Sequence, residues 1–522
     1  MFICLLGEMG IQLNRRETMR VQVFDEGVAF WQEVSRLTVL LLTPFYSFWP
    51  RYETKRAGCP IGLELIASEL VALGFNVIFI DACMAAYNQL TPQSDGTMRY
   101  GLTDDQLKSV LARFNPAVLG ITSLFSNQHG NVEATARIVR QVHPEAIIVE
   151  GGSHATGDIN KVLKSRDVDM VVRKEGLQTF PALCLSIEQG KSQRNCTEEL
   201  GVSFKSEAGQ IIERDDRPFL PNFDGLAERR LEIPLHPMYD TPEHTGGSRF
   251  HKTGRHAYIL SSEGCPLKCE FCHIHTMAGS IRYYSLERFE EEVARLKAVG
   301  VTELIVEDDM FFDNIPRAMK AADILKKYDM AWFEEGGLSM FRFMNTLVFG
   351  LTYKQILNKL AETGCYRFYL AIESANKESL QRSKKPPTNA DADLAEKIVS
   401  YTAKVGIQAV GGFMVGFKGN NGGFEESLED MERTVAYARR LKLAGLAYVM
   451  IFIVTAFAGT QLGKYIKSVF PHLDLRTSHE RSAFPVGELT PNELTEKRLQ
   501  WMTFVNGEGC MDIADRAKNW GL

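Results

Sequence analysis

Several things are scarce in this chain of 522 residues, and each scarcity removes a class of function. No stretch concentrates lysine and arginine, and the formal net charge is −6, so nucleic acid is not expected as a partner. The ten cysteines are scattered apart from one central trio, which is not the disulfide framework of a small secreted domain. The opening Met1-Phe-Ile-Cys-Leu-Leu-Gly7 is apolar but has no basic lead and no small-residue cleavage site, so it does not read as a signal peptide. Long apolar runs are also nearly missing. Leu443 to Gly459 is the one stretch near the short edge of a membrane span. Gly445, Tyr448 and Thr455 interrupt it, and Val449 to Val454 reads better as a buried parallel strand after a helix end, so no membrane is expected. What is there, 45% hydrophobic and 24% charged residues, is the composition of a globular protein large enough for two domains.

The order of elements is more informative than the composition. Residues 1–35 show no clear pattern and read as an N-terminal extension. From Leu37 apolar runs alternate with amphipathic ones: strands at Leu37 to Thr43, Asn76 to Asp81, Ala117 to Thr122, Ala146 to Glu150 and Val168 to Val172, with helical spacing between them. This alternation predicts an α/β domain with a doubly wound parallel sheet over residues 36–190, binding its ligand off the strands' carboxyl ends. Residues 191–255 read as a linker with a hairpin turning at Glu207-Ala-Gly209, punctuated by Pro218, Pro221, Pro234 and Pro237. Six further strand–helix units over residues 256–460 predict a partial (β/α)6 barrel, and residues 461–522 are left as a C-terminal cap.

The trio stands at the first barrel strand. Cys265, Cys269 and Cys272 lie in Gly264-Cys-Pro-Leu-Lys-Cys-Glu-Phe-Cys-His273, a C-x-x-x-C-x-x-C spacing that gathers three thiolates and no fourth. A structural zinc site is closed by four ligands and a [4Fe–4S] cube normally takes four thiolates, so three leave one iron open to a small molecule. The plainer readings are a zinc knuckle missing a ligand or three unrelated core cysteines. The spacing resembles the signature of the radical S-adenosylmethionine (SAM) superfamily. That likeness implies that the open iron chelates SAM and that one electron splits SAM to a 5′-deoxyadenosyl radical. It also implies that Phe271, the aromatic before the last cysteine, lies beside the adenine. An oxygen-sensitive cluster implies a reducing, cytoplasmic setting and an external electron donor such as flavodoxin or ferredoxin.

The first domain carries a second resemblance. Thr122-Ser123-Leu124 followed by Gly151-Gly152 is spaced as in cobalamin-binding domains, where a small hydroxyl residue and a glycine pair line the slot for the nucleotide tail. Glycine has no Cβ, so a bulky ligand can approach the backbone there. His154 and Thr156 are placed to meet polar atoms of that tail, and Glu175-Gly176 sits at another strand end. The Asp-x-His-x-x-Gly motif that supplies a histidine to cobalt is missing; Thr43-Pro-Phe-Tyr-Ser47 stands in its place, which implies cobalt without a histidine ligand.

With Cys59-Pro-Ile-Gly-Leu63, Arg99 to Asp105, Glu373-Ser374, Lys384-Lys-Pro386 and Gly412 to Gly416, the chain resembles the cobalamin-dependent (class B) radical SAM methyltransferases over roughly residues 37 to 460. The resemblance implies three cofactors, a [4Fe–4S] cluster, SAM and cobalamin, with one SAM charging cobalt to methylcobalamin and another making the radical. Glu307-Asp308-Asp309 would then meet SAM's amino group, Glu373 and Ser374 its ribose or methionine part, and Gly411-Gly412 its adenine. His273 and His275 are more simply structural than a proton relay. No catalytic side chain stands out with certainty, because the cofactors carry the hard chemistry. Arg282, Tyr283, Tyr284 and Arg342 would suit a small anionic substrate such as a phosphonate, methylated on an unactivated carbon or on phosphorus. Two alternatives stay open: the same cofactors used for ring formation, ring contraction or oxidation without methyl transfer, and a cobalamin-binding sensor module.

Overall fold

The computed structural model describes residues 20–24, 28–32, 36–53, 55, 58–239, 252, 255–340, 350–386, 392–419, 424–474 and 478–510, with residues before 36 described by backbone alone. They fall into two compact units, Met1–Pro50 with Lys55–Leu220 and Gly225–Thr245, and Arg51–Thr54 with Pro221–Asp224 and Gly246–Leu522.

The first unit is built on a nine-stranded sheet. Its strands in chain order are β1 (Arg20–Phe24), β2 (Val28–Gln32) and β3 (Thr38–Thr43), then β5 (Asn76–Asp81), which follows the short β4 (Tyr46–Phe48). The short β6 (Leu90–Pro92) and β7 (Met98–Tyr100) pair with β4 in a small separate sheet. The large sheet continues with β8 (Val118–Thr122), β9 (Ile147–Gly151), β10 (Met170–Val172), β11 (Val202–Lys205) and β12 (Ile211–Glu213). Spatial order is β1-β2-β5-β3-β8-β9-β10-β11-β12, and the five central strands are parallel. Val39, Leu40, Leu41 and Leu42 of β3 are fully buried, as a parallel strand covered on both faces requires. Among the parallel strands the second lies outside the first, so chain direction switches between β3 and β8. A ligand crevice is expected off the carboxyl ends of those two strands.

Two expectations are corrected here. The stretch taken as a patternless extension contains β1 and β2, an antiparallel hairpin that pairs through β2 with β5. Its short strands alternate too briefly to register as a pattern. The hairpin expected in a linker, β11 and β12, pairs antiparallel with β10 and so extends the sheet. Both additions cover edges that a bare parallel sheet would leave unpaired. The segment after it is also fixed to this unit: Arg229 Nε and Nη2 donate to Glu64 Oε1 and Oε2, each at 2.8 Å, with both side chains buried.

The second unit holds six parallel strands in sequential order: β13 (His256–Ile259), β16 (Glu303–Val306), β17 (Ala331–Ser339), β18 (Cys365–Glu373), β19 (Gln408–Val415) and β20 (Tyr448–Ile453). Between β13 and β16 stand two-residue strands β14 (Ser262–Glu263) and β15 (Arg282–Tyr283), which pair with each other. Helices Leu286–Ala298, Ile315–Lys327, Tyr353–Glu362, Ala392–Lys404 and Leu428–Ala444 separate the long strands, giving the partial (β/α)6 barrel. Caps set several starts: Ser285 accepts from Arg288 N, and Thr352 and Ser427 form reciprocal capping boxes. Among the described residues no helix is long and apolar enough to cross a membrane, and the apolar run near residue 450 is the end of a helix followed by β20.

Removing one partner of the Glu64–Arg229 pair leaves a buried charge uncompensated. Arg229→Ala is expected to cost about 3–5 kcal/mol in urea unfolding, and adding Glu64→Leu should recover much of that loss.

Candidate functional site

The cysteine loop leaves the carboxyl end of β13 and is held from below by two neighbouring carboxylates. Asp308, fully buried just past β16, accepts from Ser261 N, Ser261 Oγ and Ser262 Oγ, each at 2.6 Å. Asp309 accepts from Gly264 N at 2.7 Å, immediately before the first cysteine. Burial pushes both carboxyls upward, and these hydrogen bonds pull them back toward the charged form. Gly264 has φ +90°, and a Cβ there would meet the Ser280 carbonyl oxygen at 2.6 Å. Arg317 closes the arrangement by donating to Ser261 Oγ and O and to Tyr284 O.

The three thiols share one space. Cys265 is buried, Cys269 and Cys272 partly so; Cys265 and Cys272 both act on Cys269, and Cys265 acts on Cys272. Burial raises all three, Cys269 to about 12 and Cys272 to about 11, while the ammonium of Lys385 lowers each. Neutral thiols of this kind lose their protons when iron binds. Among the described residues no three His, Cys, Asp or Glu side chains converge on a single-ion site. A [4Fe–4S] cube takes each thiolate on a different iron. The donor set fits a [4Fe–4S] cluster.

The other expected residues of this unit divide by what they touch. Phe271 stands edge-on to Phe417 at 6.1 Å between centroids. Glu307 is half-buried at the strand end. Glu373 holds a φ of +71° and accepts from Lys385 Nζ at 2.8 Å. Ser374 is tied into the turn after β18: its Oγ lies 3.1 Å from Thr434 Oγ1 and accepts from Asn376 N. The Gly411-Gly412 pair is occupied by packing: a Cβ on Gly412 would lie 1.6 Å from the Tyr369 hydroxyl, and one on Gly411 2.6 Å from Leu446 Cδ1. Arg282 donates to Ala278 O at 2.9 Å and lies over the Phe223 ring, Tyr283 donates to Asp313 Oδ2, and buried Tyr284 stacks on Phe223. These three wall the cysteine loop. Arg342 lies outside the described residues. Burial lowers the pKa of the His273 imidazole.

In the first unit the residues expected to line a nucleotide tail come together at the carboxyl ends of β8 and β9. Ser123 N donates to Gly151 O at 2.7 Å and His154 N to Ser123 O at 3.0 Å, drawing β8 and β9 ends together. Gly152 makes this possible: its φ is +111°, and a Cβ would meet Ser123 O at 2.7 Å. The space over Gly151 is freer, the nearest atom being Val172 O at 3.5 Å. Thr43 Oγ1 and Ser123 Oγ, at the ends of β3 and β8, are buried with no hydrogen-bond partner among the described residues. Leu124 and Phe125 beside them are exposed apolar side chains. Orphaned hydroxyls, a glycine cradle and bare apolar groups at one sheet end fit a large amphipathic ligand such as cobalamin. Thr122 is buried in this rim. Thr156 Oγ1 accepts from Lys174 N, Glu175 Oε2 from Leu220 N, and Gly176 packs against Ile66, so these residues shape the neighbouring turns.

Three sets of contacts gave no readable signal in the sequence, although His154 and Lys385 themselves stand in recognisable motifs. His154 Nδ1 lies 3.0 Å from Ser126 Oγ, and its ring centroid is 4.1 Å from that of His129, with the planes tilted by 37°. His129, fully buried, lies 3.5 Å from both Glu133 and Glu150. Burial disfavours its charge, yet the two carboxylates outweigh that and raise it to about 9. Glu426, also buried, accepts from Gly416 N, Phe417 N and Ser379 Oγ and is raised by burial to about 7. Lys385 completes the set. A histidine or glutamate in an unpatterned loop carries no mark of the partners folding brings it.

Two outcomes follow. Cys265, Cys269 and Cys272 replaced together by alanine should abolish iron binding, against about four irons per chain after anaerobic reconstitution of the parent. A histidine raised on folding contributes stability that is complete below its unfolded value near 6.5 and is lost as pH rises through about 9. Urea midpoints should therefore fall from pH 6.5 to 9.5, and His129→Gln should flatten that fall.

The comparisons with known proteins agree with this geometry. The profile of the radical SAM superfamily matches residues 259–431, and that of the B12 binding domain matches residues 53–184. The cytidylyl-2-hydroxyethylphosphonate methyltransferase of Streptomyces wedmorensis is 26% identical over 447 residues, covering 81% of this chain and 80% of that one. The anaerobic magnesium-protoporphyrin IX monomethyl ester cyclase of Rubrivivax gelatinosus is 25% identical over 225 residues, 41% of this chain and 34% of its own length. Among solved structures, the radical S-adenosylmethionine methyltransferase TsrM of Kitasatospora setae, with cobalamin and a [4Fe–4S] cluster bound, superposes with a TM-score of 0.62 at 16% identity, over 83% of this chain and 78% of that one. The cobalamin-dependent S-adenosylmethionine radical enzyme OxsB gives 0.56 at 16% identity, over 92% and 56%. These two likenesses concern the fold. A B12-binding domain followed in one chain by a radical SAM domain, with a [4Fe–4S] cluster, SAM and cobalamin as its cofactors, places this protein among the cobalamin-dependent radical SAM methyltransferases.

Proposed function

We propose that this enzyme methylates an unactivated carbon, or phosphorus, of a small anionic substrate of the phosphonate class. The observation that carries the methyl-transfer part is the presence in one chain of both the three-thiol loop and the cobalamin slot. When bound, the cluster and SAM supply a hydrogen-abstracting radical, and cobalamin supplies a transferable methyl group. The chain's own residues then bind, orient and exclude water. Cys265, Cys269 and Cys272 hold three irons. Asp308 and Asp309 fix the loop that carries them. Glu307, at the barrel mouth, suits SAM's ammonium, Glu373 its ribose or methionine part, and Phe271 the adenine edge. Thr122, Ser123, Leu124, Gly151, Gly152 and His154 rim the cobalamin slot.

The phosphonate part is supported by the Streptomyces relative, which aligns along most of both chains. Arg282 and Tyr283 remain candidates for the anion, although Arg282 Nη2 donates to Ala278 O and the Tyr283 hydroxyl to Asp313 Oδ2. An external low-potential donor such as flavodoxin or ferredoxin, in the reducing cytoplasm, would complete the system. The second reading, ring formation without methyl transfer, is favoured by the cyclase relative, which aligns with less than half of this chain.

Methyl-labelled SAM, a low-potential reductant and a cytidylyl phosphonate substrate are the test. 5′-Deoxyadenosine and S-adenosylhomocysteine should form together, with the label in the product. S-adenosylhomocysteine without a methylated phosphonate would overturn the substrate class. 5′-Deoxyadenosine with an unmethylated, rearranged product would establish the second reading instead.

A further inference from the structure

The turn that follows β18 packs against the cysteine loop. Helix Lys377–Arg382 ends there, Lys384 takes a φ of +58°, and the chain passes close under the cysteines. Glu270 N donates to Ser383 O at 3.0 Å, Cys269 Sγ lies 3.9 Å from Lys384 O, and Lys384 Nζ lies 3.2 Å from Glu270 Oε1. The next residue, Lys385, turns inward. Its ammonium sits 2.8 Å from Glu373 Oε1, and both side chains are about nine-tenths covered. Burial works against the ammonium's charge, but Glu373 and the thiols outweigh it, so Lys385 stays protonated.

The pair is not electrically silent toward the thiols. Lys385 acts on Cys265, Cys269 and Cys272 alike, whereas Glu373 is felt mainly at Cys269 and there more weakly than Lys385. The pair lies beside the cysteine loop: Lys385 follows Lys384, whose carbonyl oxygen is 3.9 Å from Cys269 Sγ, and Glu373 holds the ammonium at 2.8 Å. A cube on three thiolates becomes more negative by one charge when it takes up an electron. A fixed positive charge in a poorly screened interior stabilises that reduced state more than the oxidised one. Iron–sulfur potentials respond to local charge and burial in this way.

We infer that Lys385, held by Glu373, is a positioning residue that sets the reduction potential of the cluster and keeps it reducible. The inference rests on the reading of the three cysteines as cluster ligands. One electron comes from the external reductant, in the test dithionite through viologen mediators. It enters the cube, and no bond of the protein forms or breaks.

The test is a potentiometric titration of the anaerobically reconstituted protein, without SAM or substrate, followed by electron paramagnetic resonance of the reduced cluster and accompanied by iron analysis. Lys385→Met, which keeps the stem and removes the charge, should shift the midpoint to more negative potential with iron retained. Lys385→Arg should titrate near the parent. Glu373→Gln, which uncovers the ammonium, should shift the midpoint the other way. An unshifted Lys385→Met that carries its iron overturns the inference while leaving the cluster assignment intact. A parent protein that binds no iron would instead overturn the cluster assignment itself. Should Lys385→Met fail to hold iron while Lys385→Arg holds it, the charge is required for the cluster, which supports the inference. If neither lysine variant holds iron, Glu373→Gln decides: a midpoint that stays or moves negative overturns it.

Discussion

The radical SAM unit depends on where two adjacent carboxylates, one fully and one partly buried, are placed. Asp308 and Asp309 sit past the end of β16, and their oxygens accept from Ser261, Ser262 and Gly264. A buried carboxylate must find donors, and the ones available here are the backbone and hydroxyls of the segment entering the cysteine loop. The desolvation cost of the two acids is thus offset only when that loop is in place. The fold and the ligand loop are coupled by this requirement. The arrangement also leaves little freedom nearby: Gly336 of β17 passes so close that a Cβ would lie 1.7 Å from Asp308 O.

A consequence is that the residues around the cysteines are mostly occupied in supporting them. Arg317, Arg282, Tyr283 and Tyr284 tie the loop to its neighbours, and the turn at Ser383-Lys384-Lys385 packs against it. Cofactor chemistry makes this sensible. If the cofactors supply the reactive centres, the protein's task is to hold them rigidly and shield them, and side chains serve that task through packing and charge. The cobalamin unit follows the same logic with different means. There the backbone of Ser123 is drawn against Gly152, and two buried hydroxyls at the strand ends, those of Thr43 and Ser123, have no hydrogen-bond partner among the described residues.

Much of the architecture was legible before folding. Strands such as Asn76–Asp81 and Gln408–Val415 are apolar apart from polar end residues, and helices such as Tyr353–Glu362 carry their caps in sequence. The hairpin of β1 and β2 was not, because five-residue strands with weak alternation look like loop. The hairpin of β11 and β12 was visible as a hairpin, but its membership in the first sheet depends on pairing with β10, a contact that sequence spacing does not encode.

The site divides in the same way. Sequence alone determined the three thiolates and the glycine pair at Gly151-Gly152, because these depend on residue type and short spacing within one loop. Tertiary structure alone decided that Asp308 anchors a turn, that Gly412 yields its space to Tyr369, and that His129 is trapped between Glu133 and Glu150. It also decided that Lys385 turns inward to Glu373 and the thiols. Each of these rests on burial and on partners that folding brings from elsewhere in the chain. A carboxylate, an imidazole or an ammonium takes its charge and its role from those surroundings, and no property of the residue itself reveals them.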